Sequence, residues 1–341
     1  MLHGGEIYGQ KIAYDFSVNL NPFPCPEQVK RAVIYAAEKI DLYPDIQQTA
    51  FRKAVAASEG CDLSYENIIG GNGASELLVS ALRYINPKRV LMPVPSFYGY
   101  RHALNMLDKC VTETYLLSEQ NDYALDEGFI EKITDDIDAV IIANPNNPTG
   151  RCIDEKLLDA IIKKCVSTNT FLVIDECFLK LSCGNSAKRY IGCVPKLIVI
   201  DAYTKLFSIP GVRVGYAIAD EKDITGIRRY LPEWNLSVFA EKAGIICAQI
   251  LMDDSYVEKS LEMIRKGREQ LCNGFNALDM KVYKSYTNFI LIKSNRNLQD
   301  VLLEHGILIR DCSNFEGLSK GYYRVAVKDE ENNQRLLDAC K

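Results

Sequence analysis

The sequence predicts an α/β fold: a large, mostly parallel sheet between helices, followed by a smaller α+β unit. Three observations carry this expectation. Short apolar runs alternate with amphipathic stretches through the middle of the chain. The runs are continuous rather than apolar-polar alternating, as expected of strands covered on both faces. After about residue 235 the pattern changes to one long helical region and then to fewer, shorter strands.

In chain order, the predicted strands of the large sheet are Ile68-Ile69-Gly70, Arg89-Val90-Leu91-Met92, Ala139–Ala143, Phe171–Asp175 and Leu197-Ile198-Val199-Ile200-Asp201. Residues 75–84 and 155–167 between them carry apolar positions at helical spacing. A single helical region is predicted over 238–278, and strands over 288–292, 307–310 and 323–327 complete the smaller unit. The segment up to about Asn21 is too short to fold alone and is expected to pack on that second unit or across a subunit interface. The predicted division is an N-terminal arm with part of the small domain over 1–30, a large domain over 31–235 and a small C-terminal domain over 236–341.

Composition narrows the function. With 48% of its 341 residues hydrophobic, the chain can bury a core large enough for two domains. A net charge of −5 and the absence of a polybasic tract argue against a nucleic-acid partner. No apolar run approaches the ~18–20 residues of a membrane span, and the first residues lack the layout of a signal peptide. The twelve cysteines are scattered without any C-x-x-C, and there are only three histidines. Reduced thiols, no metal and a cytoplasmic location are therefore expected.

In open α/β sheets substrates sit beyond the carboxyl ends of the strands, and the unusual residues of this chain fall there. Gly70-Gly71-Asn72-Gly73-Ala74-Ser75-Glu76 follows a strand and opens a helix. Glu76 breaks the dinucleotide fingerprint, and the loop lacks the ending of a P-loop, so it reads either as an anion cradle or as a capped turn. Asn144-Pro145-Asn146-Asn147-Pro148-Thr149-Gly150 offers amides on a proline-stiffened exit turn. Asp175 ends an apolar run and needs a cationic or donor partner, in a site or in a structural pair. Thr204-Lys205 is followed by Arg213 within Pro210-Gly211-Val212-Arg213-Val214-Gly215-Tyr216, a framing that makes a plain surface lysine less apt. Arg310 and Arg324 lie in otherwise apolar predicted strands, as anion-holding arginines would.

Together, and in this order over almost the whole chain, these motifs resemble the aspartate-aminotransferase superfamily of pyridoxal-phosphate (PLP) enzymes, fold type I. The resemblance implies that Lys205 forms the Schiff base with the cofactor, that Asp175 pairs with its ring nitrogen, that Asn147 bonds the ring hydroxyl and that Phe97 stacks on the ring. It assigns the cofactor phosphate to Ala74, Ser75, Thr204 and Arg213. Tyr43, in Leu42-Tyr43-Pro44-Asp45, would reach that phosphate from the neighbouring subunit of a homodimer. Arg324 matches the arginine that takes the substrate carboxylate.

Within the superfamily, His3-Gly4-Gly5 followed by Asp15-Phe16-Ser17-Val18-Asn19-Leu20-Asn21-Pro22, and Gly306-Ile307-Leu308-Ile309-Arg310-Asp311-Cys312-Ser313-Asn314-Phe315, resemble the threonine-phosphate decarboxylases. Histidinol-phosphate aminotransferases come next. Both act on phosphorylated amino compounds, and the resemblance turns Arg310, Asn19 and His3 toward the substrate phosphate. Three departures stand out: Phe178 where many aminotransferases have tyrosine, Phe97 where the histidinol-phosphate enzymes usually have tyrosine, and Ala202 where a phosphate-binding serine is common. The first two lean toward the decarboxylases, and the third predicts a weaker phosphate cradle. The expected activity is decarboxylation of O-phospho-L-threonine to aminopropanol phosphate, for the cobalamin side chain, with a phosphate-recognising aminotransferase as the alternative. A non-catalytic PLP sensor is the remaining reading. Such a protein is expected to carry a DNA-binding helix-turn-helix unit or to lose the lysine or the aspartate, and Lys205 and Asp175 are both present.

Overall fold

The computed structural model describes residues 4, 5, 7–9 and 11–341. Among the described residues thirteen strands form three sheets: β1 (Tyr14–Asp15), β2 (Ile68–Gly71), β3 (Arg89–Val94), β4 (Val111–Leu116), β5 (Ala139–Ala143), β6 (Phe171–Asp175), β7 (Leu197–Ala202), β8 (Gly215–Ala219), β9 (Lys281–Val282), β10 (Phe289–Lys293), β11 (Ile307–Leu308), β12 (Arg310–Asp311) and β13 (Tyr322–Ala326). The largest sheet has the order β2-β8-β7-β6-β5-β3-β4, and β8 alone runs against its neighbours.

Alternating side chains of its strands feed two separate cores. Val140 and Ile142 of β5, Leu172 and Ile174 of β6, and Leu197 and Val199 of β7 pack on one side, with Phe51 and Val55 of the helix Thr49–Glu59 and Leu158 and Ile161 of the helix Glu155–Ser167. Ile141, Val173, Ile198 and Ile200 point to the other, against Leu77, Ala81 and Leu82 of the helix Ala74–Ile85 and Ile224 and Ile227 of Glu221–Arg228. Each fully buried aliphatic side chain contributes about 1.5–3 kcal/mol, so a sheet covered on both faces has apolar strands along its whole length.

The second sheet is antiparallel, in the order β12-β13-β10-β9. One of its faces, carrying Ile290, Ile292, Tyr323 and Val325, packs on Leu271, Phe275, Leu336 and Leu337 of the helices Ser255–Ala277 and Glu330–Ala339. The N-terminal segment threads between the two sheets. β1 pairs in parallel with β11, the Ala326 amide donates to the Phe16 carbonyl at 2.9 Å, and the Asn21 amide donates to the Lys205 carbonyl at 3.1 Å. The arm thus pairs with β11, bonds β13 and continues to the Lys205 segment.

Two expectations are corrected. The helical region over 238–278 is two helices, Val238–Ile250 and Ser255–Ala277. The Asp253-Asp254 pair breaks it, the Asp253 carboxylate accepting from the Ser255 amide at 2.9 Å in a turn that precedes the second helix. The strand over 307–310 is likewise divided between two sheets, β11 pairing with the arm and β12 with β13. Among the described residues no helix is long and apolar enough to cross a membrane.

Candidate active site

Because the strands from β3 to β7 are parallel, their carboxyl ends lie along one edge of the large sheet. β2 also ends at that edge, and the reversed β8 begins there. The edge therefore collects Gly71 to Ser75, Phe97, Asn144 to Asn147, Asp175 to Phe178, Ala202 to Lys205 and Arg213. The small sheet and the arm close over them, leaving a cavity of about 260 Å³ lined by, among others, Asn19, Ala74, Ser75, Phe97, Tyr100, Asn147, Asp175, Thr204, Lys205, Arg213 and Arg324.

At one end lies the start of the helix Ala74–Ile85. Its N-cap is Gly73 at φ +81°, with no side chain capping the first turn. The Arg213 guanidinium hangs beside it, donating to the Pro210 carbonyl at 3.2 Å and the Asn72 carbonyl at 3.4 Å. A Cβ on Gly73 would stand 2.6 Å from Arg213 Nη2, so only glycine leaves this space open. Glu76, which breaks the dinucleotide pattern, anchors the loop: its carboxylate accepts from the Asn72 amide at 2.7 Å and from Asn235 Nδ2 at 2.8 Å. Uncapped helix N–H groups, an arginine and the hydroxyls of Ser75 and Thr204 together present the donors that a phosphate anion takes.

Asp175 marks the other end of the large sheet's contribution. Its Oδ2 accepts from Tyr100 OH at 2.7 Å and its Oδ1 from the Cys177 amide at 3.0 Å. Burial, then the neighbouring Asp175 charge, pushes the Tyr100 phenol well above its usual range, so it stays a donor. The two rings Phe97 and Tyr100 meet edge to face at 5.6 Å. Lys205 Nζ lies 6.0 Å from the Phe178 ring centre. Its pKa is lowered mainly by burial, with the charges of Arg324 and Arg213 adding to the effect and Cys177 and Asp175 opposing it. A larger neutral fraction of the amine suits a nucleophile.

The small sheet supplies Arg324, 7% exposed. Its Nη1 donates to Asn147 Oδ1 at 2.5 Å and its Nη2 to the Ser17 carbonyl at 2.7 Å, while Nε is buried without a partner. Burial, foremost, lowers its pKa to about 10, and Arg310 adds to that. Asn19, on the arm, is 2% exposed, and neither atom of its amide has a hydrogen-bond partner among the described residues. Orphaned polar atoms facing a cavity have lost water without regaining a hydrogen bond, and a polar ligand restores it.

This arrangement brings together most residues singled out in the sequence, but not all. Arg310 is buried beside Arg324 on the neighbouring strand, with Nη2 donating to Asn314 Oδ1 at 2.8 Å, and it does not line the cavity. Tyr43 is 82% exposed, its ring 5.0 Å from that of Trp234, away from the cavity of its own chain. His3 lies outside the described residues. Tyr100 and Ser17 escaped the sequence reading. Tyr100 reads as one more core aromatic unless its place three residues after Phe97, at helical spacing, is used.

The site fits pyridoxal phosphate on grounds of its own: an open, glycine-dependent anion cradle, a carboxylate held by a tyrosine and a backbone amide, and a lysine of lowered pKa between them.

Comparison with known proteins agrees. Residues 11–340 match the family model of aminotransferase class I and II. The chain is 31% identical to the threonine-phosphate decarboxylase of Salmonella typhimurium, over 96% of this chain and 90% of that protein. It is 29% identical to the histidinol-phosphate aminotransferase of Methanothermobacter thermautotrophicus, over 94% and 86%. The crystal structure of the histidinol-phosphate aminotransferase from Clostridium acetobutylicum superposes with a TM-score of 0.87 at 31% identity, covering 96% of this chain and 98% of that one. The chain belongs to the aminotransferase class I and II family and is a pyridoxal-phosphate enzyme.

Proposed function

We propose that the enzyme decarboxylates O-phospho-L-threonine, taking up one proton and releasing carbon dioxide and aminopropanol phosphate. The observation that carries this reading is the second polar station of the cavity. Asn19, brought in by the arm with both amide atoms unpartnered, stands with the buried Arg324, apart from the phosphate cradle at the helix start. With the cradle taken by the cofactor phosphate, Arg324 and Asn19 are two separate polar groups left for a substrate that carries both a carboxylate and a phosphate.

Bound pyridoxal phosphate supplies an electron sink for the bond broken at the substrate α-carbon. Ala74, Ser75, Thr204 and Arg213 hold its phosphate, joined by Tyr43 from the partner subunit of a homodimer. Asp175, steadied by Tyr100, keeps the proton on the ring nitrogen, because a nearby carboxylate favours the protonated form. Asn147, its oxygen engaged by Arg324, turns Nδ2 to the ring hydroxyl, and Phe97 covers the ring face. Lys205 Nζ, with its pKa lowered by burial, would hold the cofactor and, as a neutral or protonated amine, would carry the proton to the substrate α-carbon. Arg324 binds the carboxylate, its fork matched to two oxygens. Asn19 and His3 receive the substrate phosphate, and Arg310 adds positive potential from behind.

Reaction choice would follow from how Arg324, Asn19 and Lys205 orient the substrate, because the cofactor would draw electrons from whichever α-carbon bond they align with it. Incubation of cofactor-loaded protein with O-phospho-L-threonine, followed by mass spectrometry, tests the reading. Carbon dioxide and aminopropanol phosphate, formed without a 2-oxo acid, are expected. Amino transfer from histidinol phosphate to 2-oxoglutarate, with no carbon dioxide, would establish instead the reading favoured by the 0.87 superposition on a histidinol-phosphate aminotransferase.

A further inference from the structure

Outside the cavity, a single carboxylate gathers donors from three strands of the second sheet and the residue after one of them. Glu119 begins the turn Glu119–Asn121, just beyond β4 at the edge of the large sheet. It accepts from Tyr283 OH at 2.6 Å, Tyr322 OH at 2.9 Å, Lys281 Nζ at 3.0 Å and Lys293 Nζ at 3.2 Å. Lys281 lies on β9, Lys293 on β10 and Tyr322 on β13, and Lys293 and Tyr322 are directly opposed across the β10–β13 ladder. Tyr123 OH, four residues after Glu119, donates to Tyr322 OH at 3.1 Å. These donors hold the Glu119 carboxyl down to about 2, Tyr283 foremost, so it is ionised at any working pH.

The pleat connects this hub to the cavity. Residues two apart on a strand share a face, so Tyr322 and Arg324 of β13 point the same way, toward the large sheet. Tyr323 and Val325 point to the helices behind. Tyr322 therefore ends at Glu119 and Arg324 ends in the cavity, about 7 Å farther along the same strand face. Without the carboxylate, two lysine ammonium groups would face one another with nothing between them, and the like charges would push β9 and β10 apart.

We propose that Glu119 is a positioning residue for substrate recognition: by pinning Tyr322 and Lys293 it fixes where Arg324 presents its guanidinium to the substrate carboxylate. The inference rests on the reading of Arg324 as the carboxylate ligand. A misplacement of about 1 Å in such a group costs up to about a hundredfold in rate or binding.

The test uses holoenzyme carrying Glu119→Ala, Glu119→Gln, Arg324→Ala and the double change Glu119→Ala/Arg324→Ala. The dissociation constant of O-phospho-L-threonine is read from the cofactor's visible absorbance, which needs no turnover, alongside KM and kcat. Glu119→Ala is expected to weaken substrate binding and raise KM by roughly tenfold with kcat within about twofold, and to leave the affinity for the cofactor unchanged. Glu119→Gln, which keeps an acceptor for the tyrosines, should fall between it and the wild type and keep the wild-type melting temperature. In the Arg324→Ala background the same change should add nothing. An undiminished effect in that background overturns the proposal, as does unchanged binding in Glu119→Ala while Arg324→Ala binds weakly. Unchanged binding in Arg324→Ala refutes the reading of Arg324, and the role of Glu119 falls with it.

Discussion

Single residues decide whether the cradle at the start of the helix Ala74–Ile85 can receive a phosphate. Gly73 combines a left-handed φ of +81° with a side-chain direction aimed at Arg213. Gly73→Ala meets a backbone penalty of ~1–3 kcal/mol, since φ +81° with ψ 170° is a region essentially reserved for glycine, and pushes the Arg213 guanidinium, 2.6 Å from the new Cβ, out of its place. We expect at least a tenfold loss of cofactor affinity, equivalent to ~1.4 kcal/mol, measured by titrating apoenzyme with pyridoxal phosphate. Unchanged affinity would place the phosphate elsewhere. Lys205→Ala should bind the cofactor without the visible band of the lysine-bound form, and retention of that band would remove Lys205 from its assigned role. Most of these side chains were legible in the sequence because each stands immediately after an apolar run, where a polar residue has no core to satisfy. Tyr100 was not, since its value lies in a hydroxyl aimed at Asp175 from a helix, and spacing alone does not separate it from core aromatics such as Tyr203.

At the scale of elements, a buried charge cluster braces the strand ends that carry the site. Lys180 Nζ lies 2.5 Å from Asp201 Oδ2 and 2.9 Å from Glu59 Oε1, Lys188 Nζ is 2.7 Å from Glu59 Oε2, and Tyr216 OH, with one proton to give, lies 2.5 Å from Glu59 Oε1 and 2.9 Å from Asp201 Oδ2. The cluster joins the helix Thr49–Glu59, the turn after β6, the end of β7 before Lys205, and β8. Burial would raise the Glu59 carboxyl, but Lys180 and Lys188 overcome it and hold it at about 2. Lys180→Met strips two buried carboxylates of a shared cation and should cost ~3 kcal/mol of stability in denaturant unfolding. A loss within error would show the cluster to be dispensable.

Next to it, burial lifts the Glu176 carboxyl to about 7, against hydrogen bonds from Ser186 and the Ala187 amide that favour the ionised form. Between the unfolded value near ~4.3 and about 7, the folded state holds a proton that the unfolded state has lost. Stability from this group is thus complete below that window and falls as pH rises through it, by about 1.4 kcal/mol per pH unit at most. Glu176→Gln should flatten the decline in melting temperature between pH 5 and 8, and an unaltered slope would refute the assignment. None of this pairing was legible beforehand. Glu59, Lys180 and Asp201 are far apart in sequence, and nothing local to any of them, Asp201 at the end of a predicted strand included, names its partners. The half-exposed edge strand β4 was also missed, because Val111-Thr112-Glu113-Thr114-Tyr115-Leu116 is no continuous apolar run.

For the whole molecule, the open question is where Tyr43 acts. Ile34, Tyr35, Ile40, Leu42 and Tyr43 are each more than half exposed within ten residues of chain, and Tyr43 leans on the partly exposed Trp234. A run of exposed apolar side chains this dense marks a surface that is covered in the working protein. A second copy of the chain is the cover proposed here, because it would also carry Tyr43 to a phosphate cradle that its own chain does not let it reach. Sedimentation should then give twice the 38.4 kDa mass of one chain. A stronger test mixes Lys205→Ala and Tyr43→Ala subunits at limiting cofactor. In a hybrid, one site takes Lys205 from one chain and Tyr43 from the other and is intact, while the second site lacks both. Random mixing makes half the dimers hybrids with one good site each, so about a quarter of wild-type activity should appear from two impaired parents. If Tyr43 served its own chain, both kinds of site in the hybrid would stay impaired and no activity would be regained.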